Sequence, residues 1–532
     1  MTSTPMSRRT LLWGSAAAGT AALAGCRTQR NERPTDGGRG DASLPDYVEF
    51  SEVTPDIEPS NDNSVPGFLK FPNPPFDGIT EPPGDGTPLK ALTTASVGAP
   101  PSMAKNQWWQ NLNTQLGADL ELQWIKGDDY TSKVQTLVAG GDMPEIIQMP
   151  SLPRLDQVLE TKFADLTPFL AGEAINDYPY LANFATEAWE ETVFNGKIYG
   201  IPRPLLPIGA RLEARTDTLA DLGIELDLTD GESFLDLCRE ITDRSADRFA
   251  MVQPTNSSIR TMFGLPNVWE QTDQGLVNEI ESPIYPDYLE YVRGMWDEGL
   301  FHPDSFQDPP LVPYFQKPSF VLFEVGGAGF TRAMPLYRPG APTLTVKPVP
   351  MPRLEGGGNA PVRIGAAATS WLSINKELTD DRIKVVLAMM NYLAAPFGTQ
   401  EYLDVQYGKE GHNYNFDDEG QPIPDPDGVS EQFPVTLFPG NPNFMYSPEF
   451  PEVTQAECEY EAEVGGEVVP SAVRGLYSET QASKGQQLTK LTSQAQSDII
   501  QGRKPVSSWS DVVEDWKRKG GDDMREEYQA QL

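Results

Sequence analysis

The chain has few of the residues that build metal sites and nucleophilic centres. Its 532 residues include only two histidines, His302 and His412, and three cysteines. Two histidines cannot form a multi-histidine zinc site or a His-Glu-x-x-His motif, which argues against a zinc enzyme. Gly-x-Ser-x-Gly, Walker and Gly-x-Gly-x-x-Gly motifs are also absent, and the glycine cluster at 326–329 lacks the required spacing. We therefore expect no nucleotide, metal or other cofactor.

Apolar runs long enough to span a bilayer are lacking as well. The uncharged stretch 10–25 follows Arg8 and Arg9 and ends directly before Cys26. A positive start, a short apolar core and small residues before a cysteine are typical of a bacterial lipoprotein signal peptide. We expect residues 1–25 to be removed after export by the general or the twin-arginine route. Cys26 would then carry a lipid that anchors the protein at the outer face of the cytoplasmic membrane.

Basic residues are scarce relative to acidic ones. The chain has 41 lysines and arginines against 77 aspartates and glutamates, and a net charge of −36. Polyanions such as nucleic acids are poor partners for such a surface, and no basic run or aromatic-basic motif offsets this. Hydrophobic residues make up 39% of the chain, enough for a substantial core that we expect to be divided between two domains.

The scarcity of cysteine excludes a disulfide scaffold. Once Cys26 is lipidated, only Cys238 and Cys458 remain, so one bridge at most can form. Cys238 shares one face of a predicted helix with Phe234 and Ile241, which favours a buried free thiol over a bridge.

Residues 26–88 are rich in proline, glycine and acidic residues and have little apolar periodicity. This composition is typical of a tether. The segment also contains four phenylalanines that are too apolar for a pure spacer: Phe50, Phe68, Phe71 and Phe76. We therefore expect its second half to pack on the folded body.

From residue 89 onward, strand and helix patterns alternate. Strands are predicted at 89–97, 120–125 and 145–149, with amphipathic helices between them. Further helices are predicted to end at Gly299 and before Pro396. The alternation indicates an α/β fold with a largely parallel sheet, in which ligands lie at the carboxyl ends of the strands.

Seven short segments resemble, in order, those of the family 1 extracellular solute-binding proteins of bacterial ABC importers, in the branch of large sugar-binding lipoproteins. They are 139–147, 166–170, 195–202, 215–223, 288–300, 407–414 and 509–528. The resemblance implies a two-lobed, periplasmic-binding-protein-like (type II) α/β fold with several hinge crossings. It also implies a monomer that closes on a carbohydrate, delivers it to the transmembrane permease and catalyses no reaction.

The resemblance divides the body into two lobes, at 89–204 with 348–420 and at 205–347 with 421–532. Some larger relatives carry a calcium loop after the helix that corresponds to 234–241. Here the stretch lacks the glycine and the ligand spacing of such a loop, so we expect no metal between Asp243 and Asp247. The acidic run 417–420 is interpreted as a hairpin turn.

A sugar cleft needs aromatic rings for the C–H faces of the sugar and polar side chains for its hydroxyls. Position after predicted strands or crossings selects the following candidates: Trp269 and Trp371 as stacking rings, Gln148, Arg203 and Glu324 as hydroxyl partners, and Asn106 as a helix cap or ligand contact. The resemblance adds His412 and Tyr414, which match a cleft-lining position of the family. Core packing is an equal alternative for the two tryptophans, and a solvated or salt-bridged role is the alternative for the polar residues.

Two other functions stay open at this stage. The same fold could bind a peptide, in a cleft lined by backbone groups and a lone aspartate. A surface glycosidase or lyase would need two carboxyl groups about 5 to 10 Å apart beside a sugar subsite. With 77 acidic residues, such a pair cannot be recognised from the sequence.

Overall fold

The computed structural model describes residues 42–95, 100–327, 329–426, 428–431 and 438–532. These residues form two lobes, each built on its own mixed sheet. The expected signal peptide and Cys26 lie outside the described residues. None of the described helices combines the length and the apolar character that crossing a bilayer requires.

The first lobe contains a five-stranded sheet. In spatial order its strands are Leu120–Lys126, Leu89–Ala95, Ile146–Gln148, Ala368–Ile374 and Ile201–Pro204. The first three are parallel, whereas Ala368–Ile374 runs antiparallel to both of its neighbours. Successive residues of a strand pack on opposite faces of the sheet: Ile146 lies in one apolar cluster and Ile147 in another. Both faces of the sheet are therefore covered, as its runs of apolar residues require.

Eight α-helices accompany this sheet in the described part of the chain. They are Gln107–Leu116, Gly127–Gly140, Leu155–Lys162, Thr167–Leu170, Pro179–Ala182, Thr186–Glu190, Asp380–Leu393 and Gln400–Gln406. Their buried faces follow the helical period, as in Gln107–Leu116, where Trp108, Leu112 and Leu116 are buried.

The second lobe contains a four-stranded sheet in the order Val346–Val349, Ala210–Arg215, Phe320–Gly326 and Phe249–Met251. Of the three neighbouring pairs, the last is parallel and the other two are antiparallel. Within the described ranges ten α-helices accompany it: Thr216–Leu222, Gly231–Ile241, Ser257–Met262, Tyr285–Glu298, Leu311–Gln316, Phe330–Tyr337, Pro451–Val464, Glu479–Ile500, Trp509–Trp516 and Asp522–Gln529. Gly299, at a φ of 71°, ends Tyr285–Glu298 as the sequence predicts.

Short paired strands complete the fold. The parallel pairs are Gly67–Phe68 with Met445–Tyr446 and Val362–Ile364 with Val468–Pro470. The antiparallel pairs are Val193–Phe194 with Lys197–Ile198, Trp269–Thr272 with Gly275–Asn278, and Tyr414–Phe416 with Pro422–Pro424. The turn expected at 417–420 joins the last pair.

Two neighbouring extended segments cross between the lobes. The amide of Leu205 donates to the carbonyl of Ala367 at 2.9 Å, and the amide of Gly365 donates to the carbonyl of Pro207 at 3.3 Å. A third crossing follows Met445–Tyr446 and leads into the helix Pro451–Val464. The lobes are thus joined by narrow extended segments, which is the arrangement of a hinge.

Two of the expected lobe boundaries need correction. Position 348 lies inside the strand Val346–Val349, where Val349 pairs with Leu212 of the second sheet. Position 421 directly precedes the second strand of a hairpin, and Phe444 and Tyr446 are buried in the core of the first lobe. The first lobe therefore includes residues up to 446, because the chain packs there before it crosses for the last time.

The described part of the expected tether, residues 42–88, packs mainly on the first lobe and also contacts the second, where the amide of Val65 donates to Glu461 at 3.1 Å. Phe68 and Phe71 are buried in its core, and Phe68 stacks on Phe397 with ring centroids 4.3 Å apart. Phe50 lies at the edge of the same core, and the ring of Phe76 lies 5.8 Å from it. Their burial explains why a segment so rich in proline carries aromatic residues.

Both described cysteines are buried as free thiols. Cys238 lies among Phe234, Leu237 and Ile241, and burial raises its pKa. The helical pattern thus gave the right environment for this residue.

Candidate functional site

Gln148 lies at the carboxyl edge of the first sheet and connects three strands there. Its side-chain carbonyl accepts from the hydroxyl of Thr93 and, at 3.4 Å, from the amide of Thr94. Its side-chain amide donates to the hydroxyl of Ser370 at 2.9 Å. Because both ends of this buried side chain have protein partners, Gln148 orders the polar edge of the sheet rather than offering a free group.

Trp371, the neighbour of Ser370, is half-buried on the strand that pairs with Ile201–Pro204. Its indole lies against Gly200, where a Cβ would collide with the ring, and 5.8 Å from the ring of Phe194. Its N–H has no acceptor among the described residues. Trp371 is therefore partly a packing residue and retains an unused hydrogen-bond donor close to the edge of the sheet.

Arg203 lies at the same edge, opposite Ser370 in the neighbouring strand. It lines a cavity of about 100 Å³ between the lobes. The first lobe contributes the following further residues: Pro204, Leu205, Leu206, Thr369, Gly440, Asn441, Asn443 and Phe444. The second lobe contributes Gly327 and Arg332. The cavity thus lies where strand ends of both sheets meet, the position at which α/β proteins bind ligands.

Glu324, at the end of the second-sheet strand Phe320–Gly326, caps a helix. Its carboxylate accepts from the amide and hydroxyl of Ser257, both at 2.9 Å, and from those of Ser258, at 2.8 and 2.7 Å. These are the first residues of the helix Ser257–Met262, whose N-terminus favours a negative charge. Since four donors already bind this carboxylate, the structure corrects the expectation of a free hydroxyl partner.

A buried ion cluster supports the second-lobe wall of the cavity. Arg211 pairs with Glu457 and, at 3.6 Å, with Glu461, and all three side chains are fully buried. Arg211 also donates to the carbonyl of the cavity residue Gly327 at 3.0 Å. Glu457 accepts from the amide of Phe330 at 2.9 Å, at the start of the helix that carries Arg332.

This cluster has more carboxyl groups than cations. Glu213 is fully buried beside Arg211, and burial together with the charge of Glu457 raises its pKa well above the ordinary value. Burial raises the pKa of Glu461 to about 7, although Arg211 and the amide of Val65 act in the opposite direction. One guanidinium faces three glutamates, so ionising all three in the fold is costly.

Replacing Glu461 with glutamine should stabilise the protein by about 2 kcal/mol at pH 8 and change little at pH 5. The carboxyl is protonated in both states below the unfolded pKa of 4.5, and the cost of ionising it in the fold grows until the pH exceeds about 7. Arg211, Glu457 and Glu213 face it throughout this range. Urea unfolding at the two pH values measures the effect, and a variant less stable than the wild type at pH 8 would contradict it.

Trp269 is placed differently from the expectation of an open loop. It begins the strand Trp269–Thr272 and is 3% exposed in the core of the second lobe. Its ring lies 5.9 Å from Trp516 and 5.8 Å from Tyr528, and Arg525 lies over it. Because the C-terminal helices cover the ring, the structure supports the packing alternative for this residue.

Asn106, His412 and Tyr414 lie together near the start of the helix Gln107–Leu116. Asn106 is fully buried and caps the helix by accepting from the amide of Trp109 at 2.8 Å. The ring of His412 lies 3.1 Å from the carboxylate of Glu431, which accepts from the amide of Gln107 at 2.9 Å. Tyr414 is 2% exposed. Asn106 therefore takes the capping role, Tyr414 is a core residue and only His412 is partly accessible.

Asp243, one of the two residues considered for calcium, uses its carboxylate locally. It accepts from the amide and hydroxyl of Ser245 at 3.0 and 2.7 Å and from the amide of Ala246 at 3.3 Å. Within the described ranges, no three histidine, cysteine, aspartate or glutamate side chains are grouped as metal ligands would be.

Of the eight sequence candidates, the structure brings Gln148, Arg203 and Trp371 together at one sheet edge. Sequence reasoning missed Thr369, which is exposed beside Arg203, and Arg332, which enters the cavity from the other lobe. The only available signal was the glycine cluster at the strand end, which marks a turn, and Arg332 lies in the helix that follows.

A larger cavity of about 470 Å³ lies between the N-terminal segment and the first lobe. Its charged lining residues are all acidic: Glu49, Glu58, Asp62 and Glu187. It contains no strand end of either main sheet. We therefore place the candidate site at the smaller cavity, which both lobes line.

The sequence is similar over most of its length to two proteins of Bacillus subtilis (strain 168). Lipoprotein LipO is 21% identical over 450 residues, which cover 78% of this chain and 86% of LipO. The polygalacturonan/rhamnogalacturonan-binding protein YtcQ is 21% identical over 452 residues, which cover 80% of this chain and 88% of YtcQ. A scan against models of protein families finds no match.

Solved structures of solute-binding proteins have the same fold. An extracellular solute-binding protein from Bifidobacterium longum subsp. infantis gives a TM-score of 0.63 at 14% identity, covering 84% of this chain and 98% of that chain. The N-glycan transport solute-binding protein NgtS from Streptococcus pneumoniae gives 0.60 at 15% identity, with coverages of 84% and 98%. The two-lobed α/β fold expected from the sequence is confirmed.

Proposed function

We infer that this chain, which is related to a lipoprotein and to a polysaccharide-binding protein and has the fold of solute-binding proteins, captures a carbohydrate between its lobes and delivers it to the membrane permease of an ABC importer. The observation that carries the inference is the relation to YtcQ, a polysaccharide-binding protein, over 80% of the chain. The fold alone would leave the solute open, since one fold hosts many functions.

The inter-lobe site has the composition that a sugar requires. Arg203, Arg332 and Thr369 offer hydrogen-bond donors in the cavity, and the ring of Phe444 lines it as well. Polar groups that converge beside an aromatic ring suit a ligand with many hydroxyls and apolar C–H faces. The hinge formed by the crossing segments would let the second lobe close over such a ligand.

YtcQ and the solved structures with the same fold are binding proteins by name, and we propose that this chain likewise binds without catalysis. We further propose that it is exported and anchored through a lipid on Cys26, so that the binder stays near its permease. A Cys26→Ser variant should then move from the membrane fraction to the soluble fraction after expression in a bacterium that lipidates secreted proteins.

Calorimetric titration of the lipid-free protein with neutral and acidic oligosaccharides tests the binding function. We expect one or more of these sugars to bind in a one-to-one ratio and to change the tryptophan fluorescence, since Trp371 lies on the strand that pairs with the Arg203 strand. Peptides of similar length serve as the control and should not bind. Binding of peptides without sugars would remove the carbohydrate part and keep the importer part, whereas shortened products from a polysaccharide would indicate an enzyme instead.

A further inference from the structure

Arg203 and Arg332 line one cavity without a carboxylate beside them. Among the described residues, neither guanidinium forms an ion pair or a hydrogen bond with an acidic side chain. Acidic residues outnumber basic residues 77 to 41 in this chain, so arginines are expected to find acidic partners. Arg211, Arg215 and Arg239, for example, are each paired.

The placement of Arg203 makes this lack of a partner significant. The side chain is half-buried, and its stem lies close to Gly440, where a Cβ would come within 3.4 Å of Cγ of Arg203. Burial lowers the pKa of Arg203, and the positive charge of Arg332 lowers it further. Two like charges facing one cavity destabilise each other, and an anion placed between them would relieve the repulsion.

The cavity has the size and the donors for one small planar anion. Its volume of about 100 Å³ corresponds to about three water molecules, enough for a carboxylate but not for a sugar ring. Guanidinium groups bind carboxylates through two parallel hydrogen bonds. The exposed hydroxyl of Thr369 makes no hydrogen bond with the described residues and is a further donor at the rim.

We propose that this cavity receives the carboxylate of a uronic acid residue, so that the solute is an acidic oligosaccharide held by Arg203 and Arg332. This rests on the proposed function, because the sugar rings would lie in the cleft outside the cavity. Arg203 comes from the first lobe and Arg332 from the second, so one carboxylate bound to both would also join the lobes in the closed form.

The net charge of −36 does not oppose a short acidic ligand. Charges further than about 8 Å away are largely screened at physiological ionic strength, so the two nearby arginines determine the local potential. A long polyanion, in contrast, would extend over the acidic surface and be repelled there.

Calorimetry with trigalacturonate and its fully methyl-esterified form tests the proposal, because the two ligands share their rings and differ in charge. Trisaccharides of mannuronate and glucuronate are further acidic ligands, and neutral oligosaccharides are further uncharged ligands. We expect at least one uronate to bind about tenfold or more tighter than its ester. Arg332→Gln, at an exposed position that tolerates substitution, should remove most of that difference, and Arg203→Gln should do the same.

Arg353→Gln is the matched control, since this exposed arginine pairs with Glu467 outside the cavity and its loss changes the net charge equally. It should leave the preference for the acid intact. Equal binding of acid and ester, or equal loss of both in Arg332→Gln, would overturn the uronate proposal and leave sugar binding in place. Binding of neutral sugars without any uronate would also overturn the uronate proposal and leave sugar binding in place. If no saccharide binds at all, the proposed function itself fails.

Discussion

Replacing Arg211 with methionine should lower the free energy of unfolding by about 4 kcal/mol at pH 8. Methionine fills much of the same space but leaves Glu457 and Glu461 buried without a cation. The carbonyl of Gly327 also loses its donor. Leaving charges uncompensated in the interior costs more than the lost pairing itself, because neither carboxylate regains contact with water.

The loss should be smaller at pH 5 than at pH 8. Burial raises the pKa of Glu461 to about 7 and that of Glu213 well above its ordinary value, and both groups take up protons more readily once the arginine is gone. A protonated carboxyl no longer needs the cation. Urea unfolding of the wild type and the variant across this pH range measures the difference.

Arg239→Met is the matched control for this experiment. Arg239 also contacts three carboxylates, those of Glu232, Asp236 and Glu298, but its side chain is 39% exposed. Water replaces the lost contacts there, so the change should be much smaller than for Arg211→Met at either pH. Equal losses for the two variants would mean that burial of the Arg211 cluster does not decide its stability.

The same cluster links the stability of the second lobe to the candidate site. Arg211 donates to the carbonyl of Gly327, and Glu457 accepts from the amide of Phe330. Gly327 lies in the turn before the helix that carries Arg332, and Phe330 begins that helix. The cluster is therefore the support on which one of the two cavity arginines is positioned.

Features that depend on local periodicity could be read from the sequence. The helix around Cys238 follows from apolar residues at helical spacing, and the structure buries that face. Gln148 and Arg203 were selected because they follow strand-like segments, and the carboxyl ends of neighbouring strands meet at one edge. Both observations need only a few consecutive residues and a general rule of α/β folds.

The buried cluster could not be read in this way. Arg211, Glu213 and Arg215 alternate with apolar residues in the strand Ala210–Arg215, a pattern typical of a solvent-facing side. In the structure the helix Pro451–Val464 brings Glu457 and Glu461 against Arg211. Contacts between residues so distant in the sequence are set by tertiary packing, which no local pattern encodes.

The positions of Trp269 and Glu324 could not be read from the sequence for the same reason. Trp269 follows loop-like residues, yet C-terminal helices nearly 250 positions later in the chain cover its ring. Glu324 lies near the end of a strand, but its carboxylate binds the first residues of a helix that only folding brings near. Arg332 reaches the cavity only because the second lobe lies beside the first, and no local sequence pattern encodes that arrangement.

Glu279→Gln should destabilise the protein by about 3 kcal/mol at pH 8. Glu279 binds two arginines, Arg260 at 3.1 Å and Arg363 at 3.0 Å, with only about a tenth of its side chain exposed. Arg260 lies on the helix capped by Glu324, and Arg363 lies on the strand Val362–Ile364 beside the hinge. The amide has the same shape but no charge, so two largely buried guanidinium groups would share no anion.

The comparison with Glu461→Gln makes this prediction stringent, because the same chemical change should have opposite signs at the two positions. One cation faces three carboxyl groups around Glu461, so removing a negative charge there relieves repulsion. Two cations face one carboxylate at Glu279, so the same removal creates repulsion. Glu298→Gln, in which an exposed carboxylate binds Arg239 at 2.8 Å, should change stability by less than about 1 kcal/mol. Urea unfolding of the three variants at pH 8 checks the order, and a stabilised Glu279→Gln would show that the ratio of buried cations to carboxylates does not set the sign.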